Sequence, residues 1–351
     1  MFDYLEHILL QDEEARSALR VLDKLKNSIS RTLFIVDTDD KVVGALTDGD
    51  IRRGLLNGLE ISQPINLFMN KGFRYLHEGE DNVEAIKLYR KNKFGLIPLL
   101  DVNGRINKIL DLATTRSVLP VTALLMAGGK GERLKPLTDS TPKPMLMIGN
   151  KPIIEHNIDR LIAFGVTDIY ISVQYLKEQI MEYFGDGSAK GISIRYVVED
   201  KPMGTIGALS LIENIKHNDV LVMNSDLLTN VDLEDFYGYY KSHSAEMAVA
   251  SIPYVVNVPY AVLETNNHEV KSFFEKPSYT YYSNGGIYFL NASLKSAISG
   301  NQFFDATDLM NLVIDKKQSK LVHYPLLCYW LDIGKPQDYI KAQEDIKHLN
   351  F

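Results

Sequence analysis

The sequence predicts an α/β protein in two parts: a tandem helix-strand-strand-helix module over residues 1–119 and, over residues 120–351, an α/β domain with a mixed, mostly parallel sheet. Three observations predict it. The 351 residues exceed what one ordinary hydrophobic core holds, so two domains is the starting expectation. Within the first third a segment recurs: FIVDTDDKVVGAL, Phe34 to Leu46, is echoed 64 residues on by PLLDVNGRINKIL, Pro98 to Leu110. Each echo has an apolar strand, an Asp-containing turn and a second apolar strand. Beyond Pro120, apolar segments alternate with helix-patterned ones, as in βα-built sheets.

Taken in chain order, the helix-patterned segments ARSALRVLDKL and NVEAIKLYRKN precede the two echoes, with apolar residues three and four apart. The repeats span about 1–62 and 63–119, and two units are too few for a solenoid, so they must pack on each other as a pair. Pro120 separates them from a continuous apolar strand, Val121 to Ala127. After it, DIYISV, SIRYVV, DVLVMN and EMAVASI read as strands, and IIEHNIDRLIAFG, LKEQIMEYFG and TIGALSLIENI read as helices.

Bulk composition narrows the function classes. Hydrophobic residues make up 45% and charged residues 24%, the proportions of a folded globular chain. There is no apolar run of membrane-spanning length. The start, MFDYLEHILLQDEEARS, lacks a basic region and a small-residue cleavage site, which predicts a cytoplasmic protein with no membrane partner. Cys328 is the single cysteine, so an internal disulfide and a cysteine metal cluster are excluded; in PLLCYWL it is expected to be a buried small hydrophobe. Of the net charge of -7, residues 1–119 hold 17 basic and 18 acidic groups, and the remainder 21 and 27. No broad basic face is implied, so no nucleic-acid partner is expected. Any phosphate bound by the acidic second part must meet a few local cations, and Lys130, Arg133, Lys135 and Lys143 cluster in one segment.

That segment opens with MAGGKGERLKPL, Met126 to Leu137, the first strand-to-helix loop of the predicted sheet. Such loops lie where ligands meet the carboxyl ends of the strands. Gly128, Gly129 and Gly131 let backbone N–H groups approach phosphate oxygens without a Cβ in the way. Their spacing is neither that of the dinucleotide fingerprint nor that of the P-loop. Ten residues after Arg133, Lys143 stands between Pro142 and Pro144 in a rigid loop. Two cations fixed beside a phosphate loop suit a leaving pyrophosphate and a charged α-phosphate in its transition state.

With these residues in view, the second part resembles the sugar-1-phosphate nucleotidyltransferase family, the nucleoside-diphosphosugar pyrophosphorylases, over essentially all of residues 121–351. The resemblance rests on the strand, Gly-Gly loop, Arg and Pro-Lys-Pro, followed in the family's order by YVVEDKPMGTIGAL, VLVMNSDLLTNVDL, FFEKP, NGGIYFL and YWLDIGKPQDY. It implies a Rossmann-like nucleotidyltransferase domain in which Arg133 and Lys143 are the catalytic cations. Leu125, Ala127, Gly128, Gly129, Gly131, Glu199, Gly204 and Thr205 would bind the nucleotide, and Asp226 and Asp332 would hold Mg²⁺. Glu275, Lys276, Asn284 and Gly286 would meet the sugar phosphate. Two positions depart from the family's pattern: Ala261 in VPYAVLE and Ser225 before Asp226 stand where glycine is usual.

The first part resembles the cystathionine-β-synthase (CBS) domain, a regulatory module that occurs in pairs and often binds adenosine nucleotides. VVGALTDGDIRRGLLNG carries the resemblance, which implies that Thr47 faces a ligand phosphate and Asp50 the ribose hydroxyls. The same two residues equally suit a helix cap starting near Ile51. In the second repeat Asp111 stands where the threonine should be. Paired modules of this kind also imply a homodimer.

Glu199 falls where the family contacts the base. One carboxylate can accept both adjacent donors of guanine, N1–H and the 2-amino group, whereas an amide suits uracil or thymine. GTP is therefore the expected nucleotide. The fused arrangement is similar to bacterial sugar-1-phosphate guanylyltransferases, among which those using glucosamine 1-phosphate for legionaminic acid synthesis stand nearest. Mannose- or heptose-1-phosphate guanylyl transfer, uridylyl or thymidylyl transfer, and an inactive nucleotide sensor are the alternatives.

Overall fold

The structure is a computed structural model that describes residues 4–25, 30–80, 82–316 and 319–349. The chain divides into two compact units, Met1–Pro120 with Ile162–Val166, and Val121–Leu161 with Thr167–Phe351.

In the first unit the antiparallel strands Thr32–Val36 and Val42–Thr47 recur 64 residues on as Leu96–Leu100 and Ile106–Asp111. Both pairs are bulged at the same place, between Ile35 and Val36 and between Leu99 and Leu100. A short parallel strand flanks each, Ile8–Leu10 and Leu76–His77. The helix Ala15–Lys24 buries Ala15, Ala18 and Leu22 beside Leu33, Ile35 and Leu46, the stripe that its three- and four-residue spacing dictates. Among the described residues the closing helix appears once, as Asp48–Leu56 after the first strand pair. After the second pair, Asp111 accepts a hydrogen bond from the Ala113 N–H (2.9 Å) and closes a turn, and the chain reaches Pro120 with no further helix. The expected second full repeat is corrected accordingly: a carboxylate folded onto its own turn replaces a helix cap.

The sheet of the second unit comprises, in chain order, β1 (Val121–Ala127), β2 (Asp168–Val173), β3 (Ser193–Val198), β4 (Asp219–Asn224), β5 (Met247–Asn257), β6 (Ser278–Asn291) and β7 (Leu321–Pro325). Their spatial order is β3-β2-β1-β4-β6-β5-β7. β1 to β4 are mutually parallel, β6 is antiparallel to β4 and β5, and β7 is parallel to β5. The fold is thus a mixed, parallel-rich α/β sheet. β1 and β2 are buried almost throughout because both of their faces are covered, which is why they read as unbroken apolar runs. Leu124, Val220, Val222, Tyr288, Leu290 and Leu309 meet in one core cluster. Asp219, buried at the start of β4, accepts hydrogen bonds from Tyr237, Tyr240 and Lys241 at 2.8–2.9 Å, so the carboxylate is satisfied inside the core.

Two expectations fail here. TIGALSLIENI is one short 3-10 turn, Gly207–Leu211, because the Ile206 N–H bonds the Phe304 carbonyl (3.2 Å) and the Phe304 N–H bonds the Met203 carbonyl (2.9 Å). Backbone groups that a helix would need are taken by a neighbouring segment. Cys328 is exposed rather than buried; in the loop after β7, Leu326 is the residue that turns inward.

Candidate active site

The order of strands reverses about β1, whose neighbours are β2 on one side and β4 on the other. Ligands bind beyond the carboxyl ends of strands at such a point. A cavity of about 510 Å³ lies there, lined by Ala127, Gly128, Gly129 and Lys130 of the glycine loop, by Lys143, by Glu199 to Thr205 in part, and by Asn224, Ser225 and Asp226.

The glycines of the loop do different work. A Cβ on Gly128 would lie 2.9 Å from Glu199 Oε1, and one on Gly131 would lie 2.9 Å from Lys143 Cβ. Only glycine lets Glu199 and the Lys143 loop pack against this turn, and the backbone of Gly131 is left-handed as well, at φ 65°. Gly129 has nothing within 4 Å of its Cβ position, so its backbone is open to a close-approaching ligand.

Lys143 begins the 3-10 turn Lys143–Met145 between its two prolines. Its Nζ donates to Asp226 Oδ2 and lies 3.8 Å from Asp332 Oδ1. The two aspartates come together because Leu227–Thr229 pairs antiparallel with Trp330–Asp332, with Leu227 opposite Asp332. The Ile333 N–H then donates to the Asp226 carbonyl (3.1 Å). Ser225 fixes this corner: its N–H and hydroxyl both donate to the Met126 carbonyl at the end of β1, at 3.2 and 2.6 Å, and Asn157 Nδ2 donates to its carbonyl (3.1 Å). The Ser225 hydroxyl thus holds the turn that precedes Asp226.

Asp226 Oδ1 and Asp332 Oδ1 are both buried without a hydrogen-bond partner. Burial, and then the neighbouring Asp226 carboxylate, push the Asp332 carboxyl above the usual range, against the pull of Lys143 and Arg133. The Arg133 guanidinium lies against Gly334, 3.4 Å from where a Cβ would stand, so it too sits beside Asp332. Two hard carboxylate oxygens without a hydrogen bond fit a hard divalent cation that keeps water and substrate phosphates among its ligands. Among the described residues no group of three or more His, Cys, Asp and Glu is placed to hold a metal ion.

Glu199 is buried under the loop. Its Oε1 accepts from the Ser172 hydroxyl and its Oε2 from the Met203 N–H (3.0 Å). Gly204, at φ 77°, presses against the Phe304 carbonyl, where a Cβ would come within 2.6 Å. The Thr205 hydroxyl donates to Asp305 Oδ1 (3.1 Å) and accepts from the Ala306 N–H (2.8 Å), so it staples the segment to the start of the helix Ala306–Asp315 while lining the cavity.

Several expected residues stand elsewhere. Leu125 is wholly buried in β1 and does not line the cavity; the alternation of the strand gives that place to Met126. Glu275 and Lys276 are exposed in the turn between the strand Glu269–Phe274 and β6. Asn284 accepts from the Gly286 N–H (2.9 Å), and Gly286 abuts Asn224, with a virtual Cβ 2.7 Å from Asn224 Nδ2; these two therefore flank the cavity without lining it. In the first unit, Asp50 accepts from the Thr47 N–H (2.9 Å), the Thr47 hydroxyl (2.6 Å) and Arg53 (2.5 Å), and Thr47 caps the Asp50 N–H in return. The pair forms a capping box. Sequence reasoning missed Gln174 and Asn224, although each lies at the carboxyl end of a parallel strand, β2 and β4, where the sheet rule could have found it.

The chain belongs to the nucleotidyl transferase family, whose model matches residues 122–348, and a CBS domain model matches residues 12–57. It is 34% identical over 227 residues to a mannose-1-phosphate guanyltransferase of Schizosaccharomyces pombe, covering 62% of each chain. It is 29% identical over 231 residues to a mannose-1-phosphate guanylyltransferase of Mycobacterium tuberculosis, covering 64% of each. The chain thus spans less than two thirds of the length of these relatives. A crystal structure of a Bacillus anthracis protein assigned as a glucose-1-phosphate thymidylyltransferase shares the fold at a TM-score of 0.53 and 24% identity, over 66% of this chain and 97% of that one. No helix among the described residues is long and apolar enough to cross a membrane.

Proposed function

We propose that this chain transfers a GMP unit from GTP to a sugar 1-phosphate, releasing pyrophosphate. The observation that carries the proposal is the corner where Lys143 meets Asp226 and Asp332 beside an open glycine loop, each aspartate keeping one buried oxygen without a hydrogen bond. An oxygen of the sugar phosphate attacks the α-phosphorus in line, the bond from that phosphorus to the bridging oxygen breaks, and pyrophosphate carries the electron pair away. The attacking phosphate is already ionised at neutral pH, so no protein base is required. Lys143 and Arg133 supply positive charge where it accumulates. Asp226 and Asp332 would hold Mg²⁺, which when bound offsets charge on the phosphates.

Glu199 supports guanine. An ionised carboxylate has about four lone-pair sites; Ser172 and Met203 occupy one on each oxygen, leaving one on each for the adjacent N1–H and 2-amino donors. The named activity of the two curated relatives supports the same base. For the sugar, the fused arrangement favours glucosamine 1-phosphate and the relatives' names favour mannose 1-phosphate. Pyrophosphate release with Mg²⁺ over a grid of GTP, UTP, dTTP, CTP and ATP against glucosamine, mannose, glucose and heptose 1-phosphates tests the reading. Release confined to GTP and one sugar is the expected result; silence across the grid would leave the transferase proposal without support.

A further inference from the structure

Glu199, the residue that meets the base in the proposed reaction, is tied to a segment far along the chain through a single residue. The Met203 N–H donates to Glu199 Oε2 (3.0 Å), and the Met203 carbonyl accepts from the Phe304 N–H (2.9 Å). Three further bonds hold the same segment: the Ile206 N–H donates to the Phe304 carbonyl (3.2 Å), the Thr205 N–H to Asp305 Oδ1 (2.9 Å) and the Ala306 N–H to the Thr205 hydroxyl (2.8 Å). Glycines permit the close approach. A Cβ on Gly204 would lie 2.6 Å from the Phe304 carbonyl oxygen, and one on Gly207 would lie 3.0 Å from that of Gln302. Phe304 packs against the core cluster. Phe303, carried by the same pinned backbone, lines the cavity and is 62% exposed.

Single apolar side chains scattered on a surface need no explanation. Phe303 differs in two respects: its backbone is fixed by the hydrogen bonds just described, and among the described residues it is the one aromatic side chain that lines the cavity. A carboxylate accepts from N–H donors, which lie in the plane of a base, so Glu199 meets the edge of a base and leaves its faces uncovered. We propose that the Phe303 ring stacks on the face of the nucleobase whose edge Glu199 meets. Stacking here presupposes the transferase reading of this site but not the choice of guanine, because every base has a π-face. Phe303 stands at the base end of the cavity. Glu199 follows β3 and Asp226 follows β4, with β2 and β1 between them, which sets the two ends about 14 Å apart at ordinary strand spacing. Phe304 is bonded to Met203, on the Glu199 side. The ring's chemistry agrees with its place: its faces carry the negative part of the quadrupole, which suits a stacked base and not a phosphate.

Isothermal titration of the full chain in the presence of Mg²⁺ tests this, with GTP, UTP and inorganic tripolyphosphate as probes. Phe303→Ala is expected to weaken GTP binding about tenfold while tripolyphosphate, which has no base, keeps its affinity to within about twofold. Phe303→Leu, apolar but without a ring, should lose GTP as the alanine variant does, and Phe303→Tyr should retain it. Should the wild type prefer UTP, the guanine reading falls while the same tenfold loss, now on UTP, upholds the stacking. Nuclear Overhauser contacts between the Phe303 ring and the base protons of the bound triphosphate give a second reading in the wild type, independent of any variant. Alanine or leucine variants that bind the preferred triphosphate as tightly as the wild type would overturn the proposal. So would a loss shared equally by tripolyphosphate in a variant of unchanged melting temperature, or the absence of ring-to-base contacts. A wild type that binds no nucleoside triphosphate would overturn both this proposal and the transferase reading.

Discussion

Asp50 in the first unit and the pair Asp226 and Asp332 in the second begin as the same signal: an aspartate just beyond an apolar strand. The structure separates them by what their oxygens do. Asp50 accepts hydrogen bonds from Thr47 twice and from Arg53, so the helix start engages the carboxylate. Asp226 and Asp332 are brought together by antiparallel pairing of their own short strands, and each keeps a buried Oδ1 without a hydrogen bond. A buried polar atom without a partner is costly unless a ligand supplies one. Residue type and position do not separate the two cases; the hydrogen bonds their oxygens make do.

The sharpest way to break this comparison is at the second pair. Asp226→Asn and Lys143→Ala should each lower kcat for pyrophosphate release by roughly 10²–10³-fold, with the melting temperature nearly unchanged. A variant that unfolds, or that retains activity, would mean that the corner is held together for the fold. Glu199→Gln should come next, shifting the ratio of kcat/KM for GTP over UTP by about tenfold toward UTP, since an amide presents a donor where guanine needs an acceptor. Thr47→Ala should leave kcat unchanged and destabilise the first unit by about 1 kcal/mol, the value of one cap, measured by denaturant unfolding. Should AMP or ATP raise the melting temperature of the wild type and Asp50→Asn abolish that rise, the cap and the ligand site would be one, and the contrast with Asp226 would narrow.

The same accounting explains what could be read before folding. The glycine loop was legible because Gly128 and Gly131 are demanded by close approaches, to Glu199 and to Lys143, and such demands leave fixed residue types at fixed spacing. The repeat of strands was legible because its period survives in the apolar pattern. The side chain of Leu125 lies off the cavity lining because the loop rule names a segment, whereas alternation along β1 decides which side chain reaches the cavity. The helix expected at TIGALSLIENI failed because the competing hydrogen bonds come from Phe304, about 100 residues away, which no local pattern encodes. Glu275 and Lys276 matched the family by order alone, and nothing in FFEKP tells that their turn is exposed.

The smallest expected effect concerns a carboxylate whose partners are complete. Asp159 is partly buried, and burial alone would raise its pKa; hydrogen bonds from Lys151 (2.6 Å) and Lys190 (2.7 Å) outweigh this and hold the carboxyl below its usual range. Asp332, partly buried and with the Asp226 carboxylate beside it, moves the opposite way. For Asp159 the linkage sign is fixed: the folded pKa lies below the unfolded one, so its contribution is present above the ordinary aspartate range and is lost as pH falls through the depressed folded value. Lys151 and Asp159 are partly exposed, at 40% and 31% of their side chains, which holds the contribution to about 1 kcal/mol after screening. Asp159→Asn should therefore reduce unfolding free energy by that amount at neutral pH and flatten its decline on acidification below the aspartate range. An acid limb that remains as steep in the variant would place that decline on other carboxylates and leave Asp159 as an exposed pair of no measurable worth.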